Sequence, residues 1–310
     1  MSDTVLQELN QGVLVLTLNR PAKKNAFNAE QWSACVDALN EARDNDEVRV
    51  VVLTGAGKDF CSGQDLTDAA FAPREGEPPY WAMEEALAAF DKPLIGAAKG
   101  FAVGGGATIL FFCDILYVGE SLRMRVPFTS LGLVPEFAST YTLQVRIGAQ
   151  KAAELLFTSE WIDADKAVNV GIAARKHPDG DLLEEALTKA AEIAQWPLNS
   201  LRETKKCLMR VHGASIEATL GAEREAMARQ AGSPENMEAI TAFMEKRKPD
   251  FRKLKKCRHL FGYSSTTLTV NSVPSASSRP CGVLMKKRPC GVLKSAANVP
   301  CSRLNSDSRS

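Results

Sequence analysis

Three consecutive glycines at positions 104–106 follow an apolar run at 93–98 and precede a second apolar segment at 109–112. Glycine has no Cβ and adopts positive φ at little cost, so the backbone N–H groups of such a turn can face a ligand. If a helix begins there, its free N–H groups and the positive end of its dipole favour a bound anion or an oxyanion formed during a reaction. A tight strand-to-helix crossing in an α/β core is the alternative, and the glycines alone leave both interpretations open.

The glycine spacing does not match the common phosphate-binding loops. A dinucleotide fingerprint needs GxGxxG after a strand at the start of the chain, whereas here the glycines stand at positions 100 and 104–106. A P-loop needs Gly-Lys-Ser or Gly-Lys-Thr after the first glycines, and none follows. We therefore expect neither a nicotinamide dinucleotide nor a nucleoside triphosphate at this turn.

The charge of the chain divides at about residue 252. Residues 252–310 hold 12 of the 38 Lys and Arg but one of the 37 Asp and Glu, a net charge of +11, which leaves −10 for residues 1–251. The basic segment is rich in Ser and Pro and repeats Arg-Pro-Cys-Gly-Val-Leu at 279–284 and 288–293. We predict that it is mostly disordered. Because it has few aromatic residues and no nucleic-acid-binding module, a passive extension is favoured over binding of nucleic acid or anionic lipid.

Cysteine and histidine usage predicts no metal centre. The eight cysteines form no CxxC pair and the three histidines are scattered, which supports neither a zinc site nor a Ser-His-Asp triad. Four cysteines lie in apolar or mixed contexts and are predicted to be reduced: Cys35, Cys61, Cys113 and Cys207. With no apolar run of 18 residues and no signal-peptide pattern, we expect no membrane span and a cytoplasmic location, with peroxisome and mitochondrion as alternatives.

Strands that alternate with helices predict an α/β layered domain over residues 1–180. Predicted strands cover 13–18, 48–54, 93–98, 114–118 and 172–175. Predicted helices cover 28–43, 80–90, 138–147 and 149–157. From 181 to 251 the pattern is helical throughout, and because this region has little sheet to lie on, we expect it to pack on a neighbouring subunit.

Two backbone turns are predicted to meet at one edge of the sheet. Residues 60–65 follow the strand at 48–54, and the glycines at 104–106 follow the strand at 93–98. Adjacent parallel strands place such turns side by side, where ligands of α/β proteins bind. One N–H group from each turn would then form a hole for a single oxygen atom.

Five ordered motifs over residues 5–251 resemble the crotonase (enoyl-CoA hydratase/isomerase) superfamily. They are Asn19-Arg20-Pro21 with Asn25-Ala26, Phe-Cys-Ser-Gly-Gln-Asp at 60–65, Lys92-Pro93, Gly-Phe-Ala-Val-Gly-Gly-Gly at 100–106, and Cys113-Asp114. The resemblance implies a spiral of ββα units, a C-terminal helical oligomerisation region and acyl-CoA thioester substrates without a separate cofactor. It also implies a homotrimer or a dimer of trimers.

The resemblance assigns the oxyanion hole to the backbone N–H groups of Gln64 and Gly105. It implies a substrate-binding set consisting of Lys23, Ala26, Ser62, Asp65, Leu66, Phe101, Gly104, Phe128 and Leu133. The nucleotide of CoA would lie near Lys23, Lys24 and Ala26, although either lysine also fits ordinary solvated charge. Residues 71–83 are implied as a pocket wall, where Trp81 and Met83 are better interpreted as core.

Hydratases of this superfamily use two glutamates, and the matching positions here are Thr108 and Phe128. Because neither side chain can carry a proton, hydration is disfavoured, and so is a dienoyl-CoA isomerase with several acids. Glu136 remains, in the apolar sequence Leu-Gly-Leu-Val-Pro-Glu-Phe at 131–137. Desolvation by its neighbours should raise the pKa of Glu136 toward neutrality, which suits a general base. A solvated glutamate, or one that caps the helix at Ala138, is the alternative.

By resemblance, Glu136 corresponds to the single base of Δ3,Δ2-enoyl-CoA isomerases. The expected reaction is proton removal from C2 of a 3-enoyl-CoA, an enolate held by Gln64 and Gly105, and return of the proton at C4. The substitution Glu136→Gln should abolish it while leaving acyl-CoA binding. Another crotonase-type hydratase or hydrolase, or a non-catalytic acyl-CoA-binding scaffold, are the competing predictions.

Overall fold

The computed structural model describes residues 3–65 and 78–254. Nine strands are present in these ranges: β1 Val5–Asn10, β2 Val13–Leu18, β3 Val50–Gly55, β4 Leu94–Ala98, β5 Phe101–Val103, β6 Ile115–Gly119, β7 Arg123–Arg125, β8 Ile162–Asp163 and β9 Arg175–His177. Ten α-helices accompany them: α1 Ala29–Asp44, α2 Pro79–Ala89, α3 Gly105–Thr108, α4 Ser139–Ile147, α5 Ala149–Thr158, α6 Ala164–Val170, α7 Leu182–Ala194, α8 Leu198–Arg210, α9 Gly213–Gln230 and α10 Pro234–Met244. Short 3-10 turns cover Pro21–Lys23, Ile109–Phe112, Thr129–Leu131 and Phe251–Lys253.

The larger sheet has six strands in the order β1-β2-β3-β4-β6-β9. Only the β1–β2 hairpin is antiparallel, and the remaining neighbours pair in parallel. The central strands are continuous apolar runs buried on both faces, as in other parallel sheets. Strands β3 and β4 are parallel neighbours, so the turns that follow them lie at the same edge of the sheet, as predicted.

A second, three-stranded sheet has the order β5-β7-β8. Its strands are two or three residues long, and β5 pairs with β7 in parallel while β7 pairs with β8 antiparallel. The alternation of apolar residues did not predict β5, β7 or β8. Such short strands exist because of partners remote in sequence, which a local pattern does not reveal.

Helix α1 begins where its sequence predicts. The side chain of Asn28 accepts a hydrogen bond from the Gln31 N–H at 3.0 Å, which satisfies one free donor of the first turn. Trp32, Cys35 and Leu39 recur at helical spacing and are buried against the sheet.

The first helix after residue 181 lies on the sheet of its own chain, so this region has more sheet to pack on than we expected. Packing of the later helices on a neighbouring subunit stays a prediction. Helix α7 packs on β3 and β4 through a buried stripe of apolar residues at four-residue spacing, three of which are alanines that let the backbone approach closely. Those residues are Leu182, Ala186, Ala190 and Ala194. The late strand also begins at Arg175, three residues after the predicted start, because 172–173 pack into the core between α6 and β9.

Helix α8 is tied to the core through two of the motif residues. Lys205 donates from Nζ to the Lys92 carbonyl and to Asp114 Oδ2, both at 2.9 Å. Lys92 itself is fully buried, and its Nζ donates to the carbonyls of Ala42 and Asn45. These two bonds satisfy free carbonyl groups at the C-terminal end of α1. These motif side chains therefore hold the architecture together.

The predicted tail at 252–310 lies outside the described residues from 255 onward. Of the described helices, none combines the length and apolar composition that a membrane crossing requires.

Candidate active site

The turns after β3 and β4 are joined by backbone hydrogen bonds. Cys61 N–H donates to the Phe101 carbonyl at 2.8 Å, and Val103 N–H donates to the Cys61 carbonyl at 2.9 Å. These bonds form a parallel bridge between Cys61 and Ala102. The loop at 60–65 and the strand that leads into the glycines therefore run side by side, as the sequence predicts.

Gln64 is held from one side by Phe27. The Phe27 N–H donates to the Gly63 carbonyl at 2.7 Å, and the Asp65 N–H donates to the Phe27 carbonyl at 2.8 Å. In a parallel bridge of this kind, the N–H of the middle residue, Gln64, faces the opposite side. Among the residues that the structure describes, this N–H has no hydrogen-bond acceptor.

Gly104 sets the direction of the following backbone. Its φ of 55° and ψ of −126° lie in a region that only glycine occupies without strain. The chain turns there from β5 into α3, so Gly105 is the first residue of a helix and its N–H lacks an acceptor within the described ranges. A helix does begin at the glycines, but α3 is four residues long, and the turn is at the same time the tight strand-to-helix crossing of the alternative interpretation.

Glu136 lies directly against Gly105. Its Oε1 is 3.0 Å from the position that a Cβ on Gly105 would occupy, and the ring edge of Trp32 is 3.4 Å from the same point. The side chain of Glu136 is half-buried. It makes no capping hydrogen bond to α4, and only its carbonyl accepts from the Ser139 N–H. The alternative role as a helix cap is therefore not what the structure shows.

The environment of Glu136 favours its protonated form. Burial, followed by the nearby carboxylates of Glu84 and Glu223, raises the pKa of Glu136 to about 8. The predicted direction of the shift is confirmed, but the two acids contribute to it beside burial, and the sequence around Glu136 does not reveal them.

A cluster of aromatic side chains packs beside the Gly105 turn. Trp32 stacks on Phe27 with 3.7 Å between ring centroids, and Phe137 lies 5.9 Å from Trp32. Trp32 also donates from Nε1 to the Gln64 side-chain oxygen at 2.9 Å. Thus one indole lies against the Gly105 turn and binds the Gln64 side chain, a role that its place on the buried face of α1 did not indicate.

The predicted nucleotide side of the site is assembled around the loop at 20–26. Asp65 is buried and pairs with Arg20 at 3.0 Å, while Arg20 also donates to the Ala26 carbonyl. Ser62 donates from Oγ to the Lys23 carbonyl at 3.5 Å.

The two lysines of this loop differ in their contacts. Both are exposed, and Lys24 holds its Nζ 4.1 Å above the ring centre of Phe101. Leu66 and the implied wall at 71–77 lie outside the described residues. Within the described part of that wall, Met83 is core, as expected, and Trp81 packs beneath the guanidinium of Arg224.

No carboxylate occupies the two positions that match the hydratase glutamates. Thr108 is buried, and its hydroxyl lies 3.3 Å from the carbonyls of Gly104 and Gly105 inside the α3 turn. Phe128 is buried, and Leu133 packs half-buried against the same core. The arrangement therefore offers one carboxylate beside two free N–H donors.

Two backbone N–H donors can polarise a carbonyl oxygen, and a carboxylate beside them can move a proton on the adjacent carbon. Within 3–65 and 78–254, no three His, Cys, Asp or Glu side chains are grouped so that they could hold a metal ion.

The chain has clear relatives. A model of the enoyl-CoA hydratase/isomerase family matches residues 8–255. The chain is 33% identical over 257 residues to the 2,3-dehydroadipyl-CoA hydratase of Escherichia coli (strain K12), covering 81% of this chain and 99% of that protein. It is 30% identical over 259 residues to the 1,2-epoxyphenylacetyl-CoA isomerase of the same organism, with 81% and 99% covered.

Solved structures agree with the sequence relatives. A crystal structure of an enoyl-CoA hydratase/isomerase from Pseudoalteromonas atlantica T6c superimposes with a TM-score of 0.77 at 36% identity, covering 80% of this chain and 99% of that chain. The resemblance and the α/β fold that it implied are thereby confirmed.

Proposed function

Because this chain belongs to the enoyl-CoA hydratase/isomerase family, we propose that it moves the double bond of a 3-enoyl-CoA to the trans-2 position with Glu136 as its single proton carrier. The family membership establishes an enzyme of the crotonase superfamily. The choice of reaction within the family rests on the residues of the site.

In this proposal the thioester oxygen lies between the N–H groups of Gln64 and Gly105. When the C2 proton leaves, negative charge moves onto that oxygen, and both donors are already oriented toward it. Preorganised donors of this type stabilise such a charge by about 3 kcal/mol each. The positive end of the backbone at α3 adds to the same effect.

Glu136 takes the proton. Its carboxylate takes the C2 proton, the C2–H electron pair forms a C1=C2 bond, and the carbonyl pair moves onto the thioester oxygen to give a dienolate. On return of the proton, the oxygen pair re-forms the carbonyl, the C1=C2 pair becomes C2=C3, and the C3=C4 pair bonds the proton at C4. Atoms and charge balance without water or a second acid. A pKa of about 8 makes Glu136 a stronger base than an ordinary glutamate while leaving part of it ionised at neutral pH.

One observation carries the proposal: the Glu136 carboxylate contacts Gly105, and no second carboxylate stands at Thr108 or Phe128. A single base that faces the enolate is sufficient for isomerisation. Addition of water needs a group to activate the water and another to protonate the substrate.

A hydratase is the second candidate, because several relatives, such as the 2,3-dehydroadipyl-CoA hydratase, have that name. An isotope experiment separates the two. With 3-enoyl-CoA deuterated at C2, a single carboxylate should carry part of the label to C4 of the product, and Glu136→Gln should abolish the transfer. Rapid water addition to 2-enoyl-CoA, without isomerisation of 3-enoyl-CoA, would favour the hydratase.

We also propose that the acyl-CoA nucleotide lies beside Lys23, Ala26 and Phe101, and that the subunit assembles as a trimer. Support for assembly comes from apolar side chains that are more than half exposed on the last helices, namely Leu208, Val211, Phe243 and Met244. Sedimentation velocity should show three subunits, and a monomer at all concentrations would contradict the assembly.

A further inference from the structure

The peptide that follows Glu136 adopts an unusual conformation. Phe137 and Ala138 have φ values of 60° and 48°, so two consecutive residues with side chains are left-handed. Such residues are costly for the backbone and persist only where surrounding contacts hold them. Because the bend comes immediately after Glu136, whatever holds it also fixes the direction of the carboxylate.

Glu84 of α2 is the group that contacts this bend. Its side chain is 1% exposed, and its Oε1 accepts the Phe137 N–H at 3.1 Å. Its other oxygen accepts from Arg224 Nε of α9 at 2.8 Å. Arg224 is itself held by the Trp81 carbonyl at 3.2 Å and stacks on the Trp81 ring. A buried carboxylate with all of these partners is a fixed support.

We propose that Glu84 is a positioning residue for Glu136: together with Arg224 it holds the Phe137 N–H, keeps the left-handed bend, and aims the carboxylate at Gly105. The expected effects on turnover rest on the proposed function. The hydrogen bonds that Glu84 accepts from Phe137 and Arg224 do not, because they belong to the folded chain without substrate.

Glu84 also acts through its charge. The groups that face Glu136 are Glu84 and Tyr80 from α2 and Glu223 from α9, while the cation Arg224 is bound to Glu84. The charge of Glu84 raises the pKa of Glu136. Burial raises the pKa of Glu84 itself above its ordinary value, and the hydrogen bond and ion pair with Arg224 oppose that shift. Position and proton affinity of Glu136 thus depend on the same neighbour.

Two substitutions separate these effects. Glu84→Gln keeps an oxygen for the Phe137 N–H but removes the charge, so the pKa of Glu136 should fall by about one unit. Glu84→Asp keeps the charge but withdraws the carboxylate from Phe137, so the exchange of the Phe137 amide should quicken at least about tenfold. Turnover should decrease in Glu84→Asp with little change in KM. In Glu84→Gln, the lower pKa of Glu136 should instead move the acid limb of the pH–rate profile to lower pH.

The matched control is Glu85→Gln. Glu85 contacts the same arginine at 3.2 Å but is exposed, so this variant should change neither the titration of Glu136 nor the exchange of the Phe137 amide. The titration is followed by the carboxyl carbon shift of labelled glutamate in the full chain, with Glu136→Gln giving the assignment.

Both readouts work without substrate. If wild-type protein does not isomerise 3-enoyl-CoA, the proposed function fails while the positioning role is still tested. Unchanged titration in Glu84→Gln together with unchanged amide exchange in Glu84→Asp would overturn the role. So would equal effects in Glu85→Gln. Should both variants fail to fold, unprotected exchange of the wild-type Phe137 amide would overturn it as well.

Discussion

The two sides of the site are built in different ways. The donor side consists of backbone, and its N–H groups are directed by the bridge at Phe27 and by the turn at Gly104, all within local loops that follow neighbouring strands. The acid side consists of one side chain, Glu136, on a loop supported by helices α2 and α9. Donor geometry therefore follows from strand pairing, whereas the properties of the acid follow from packing between distant parts of the chain.

The difference predicts where substitutions act most strongly. Changes on the acid side alter both the position and the proton affinity of one carboxylate. Changes on the donor side alter geometry alone, because a backbone N–H does not titrate in this range.

The largest effect is expected from removal of the acid itself. Glu136→Gln should lower kcat by about 1,000-fold or more, since general acid–base catalysis by one group contributes on this scale and no second base is proposed. Glu136→Asp keeps the acid but shortens it and should retain measurable activity. Isomerase assays with calorimetric measurement of acyl-CoA affinity check this, and equal turnover in Glu136→Gln and wild type would contradict the assignment.

A donor-side change should have a smaller effect. The substitution Gly105→Ala places a Cβ 3.0 Å from Glu136 Oε1, so the carboxylate must shift by some tenths of an ångström. We expect a loss in kcat of about ten- to a hundredfold, as misplacement of a catalytic group commonly causes. Gly180→Ala is the matched control, because a Cβ there meets no atom within 4 Å. Similar kinetics of the two variants would show that this contact is unimportant.

The pH dependence tests the acid side without a substitution. Because Glu136 must be ionised to accept a proton, kcat/KM should fall about tenfold for each pH unit below its pKa of about 8. Initial rates between pH 5 and 9 measure this. A plateau that extends down to pH 5 would mean that the base has an ordinary pKa.

The same pKa has a smaller consequence for stability. Because the folded pKa of Glu136 lies above its ordinary value of 4.5, the folded state binds more protons than the unfolded state between these values. The stabilising contribution is present below pH 4.5 and is lost as the pH rises through about 8. The Tm of Glu136→Gln relative to wild type should therefore increase by a few degrees from pH 5 to pH 9. A constant difference would contradict the shift.

The sequence predicts the donor side well. Asn28 marks the start of α1, continuous apolar runs mark β3 and β4, and the glycines mark the turn into α3. Each of these signals is local. The identity of Glu136 as an isolated acid among apolar neighbours is also visible locally, although its role came from the resemblance and stays a prediction.

The supports of the acid could not be predicted in the same way, because Glu84 and Glu136 are brought together only by the fold. One signal was present in α9, where Ile216, Leu220 and Glu223 recur at helical spacing and all three are buried. A charged residue in an apolar stripe indicates a buried partner. Glu223 indeed accepts both the N–H and the hydroxyl of Thr140, at 2.9 and 2.6 Å.

The adjacent α9 residues Glu223 and Arg224 support two points that follow Glu136 in the chain, Thr140 directly and Phe137 through Glu84. The supports of the proposed acid therefore include residues beyond position 180, even though every proposed reacting group lies before it. An exchange of C-terminal halves between relatives would leave the oxygen-binding backbone in place but take away the scaffold of the acid. We therefore expect activity to be kept only if the parts before and after residue 180 come from the same protein.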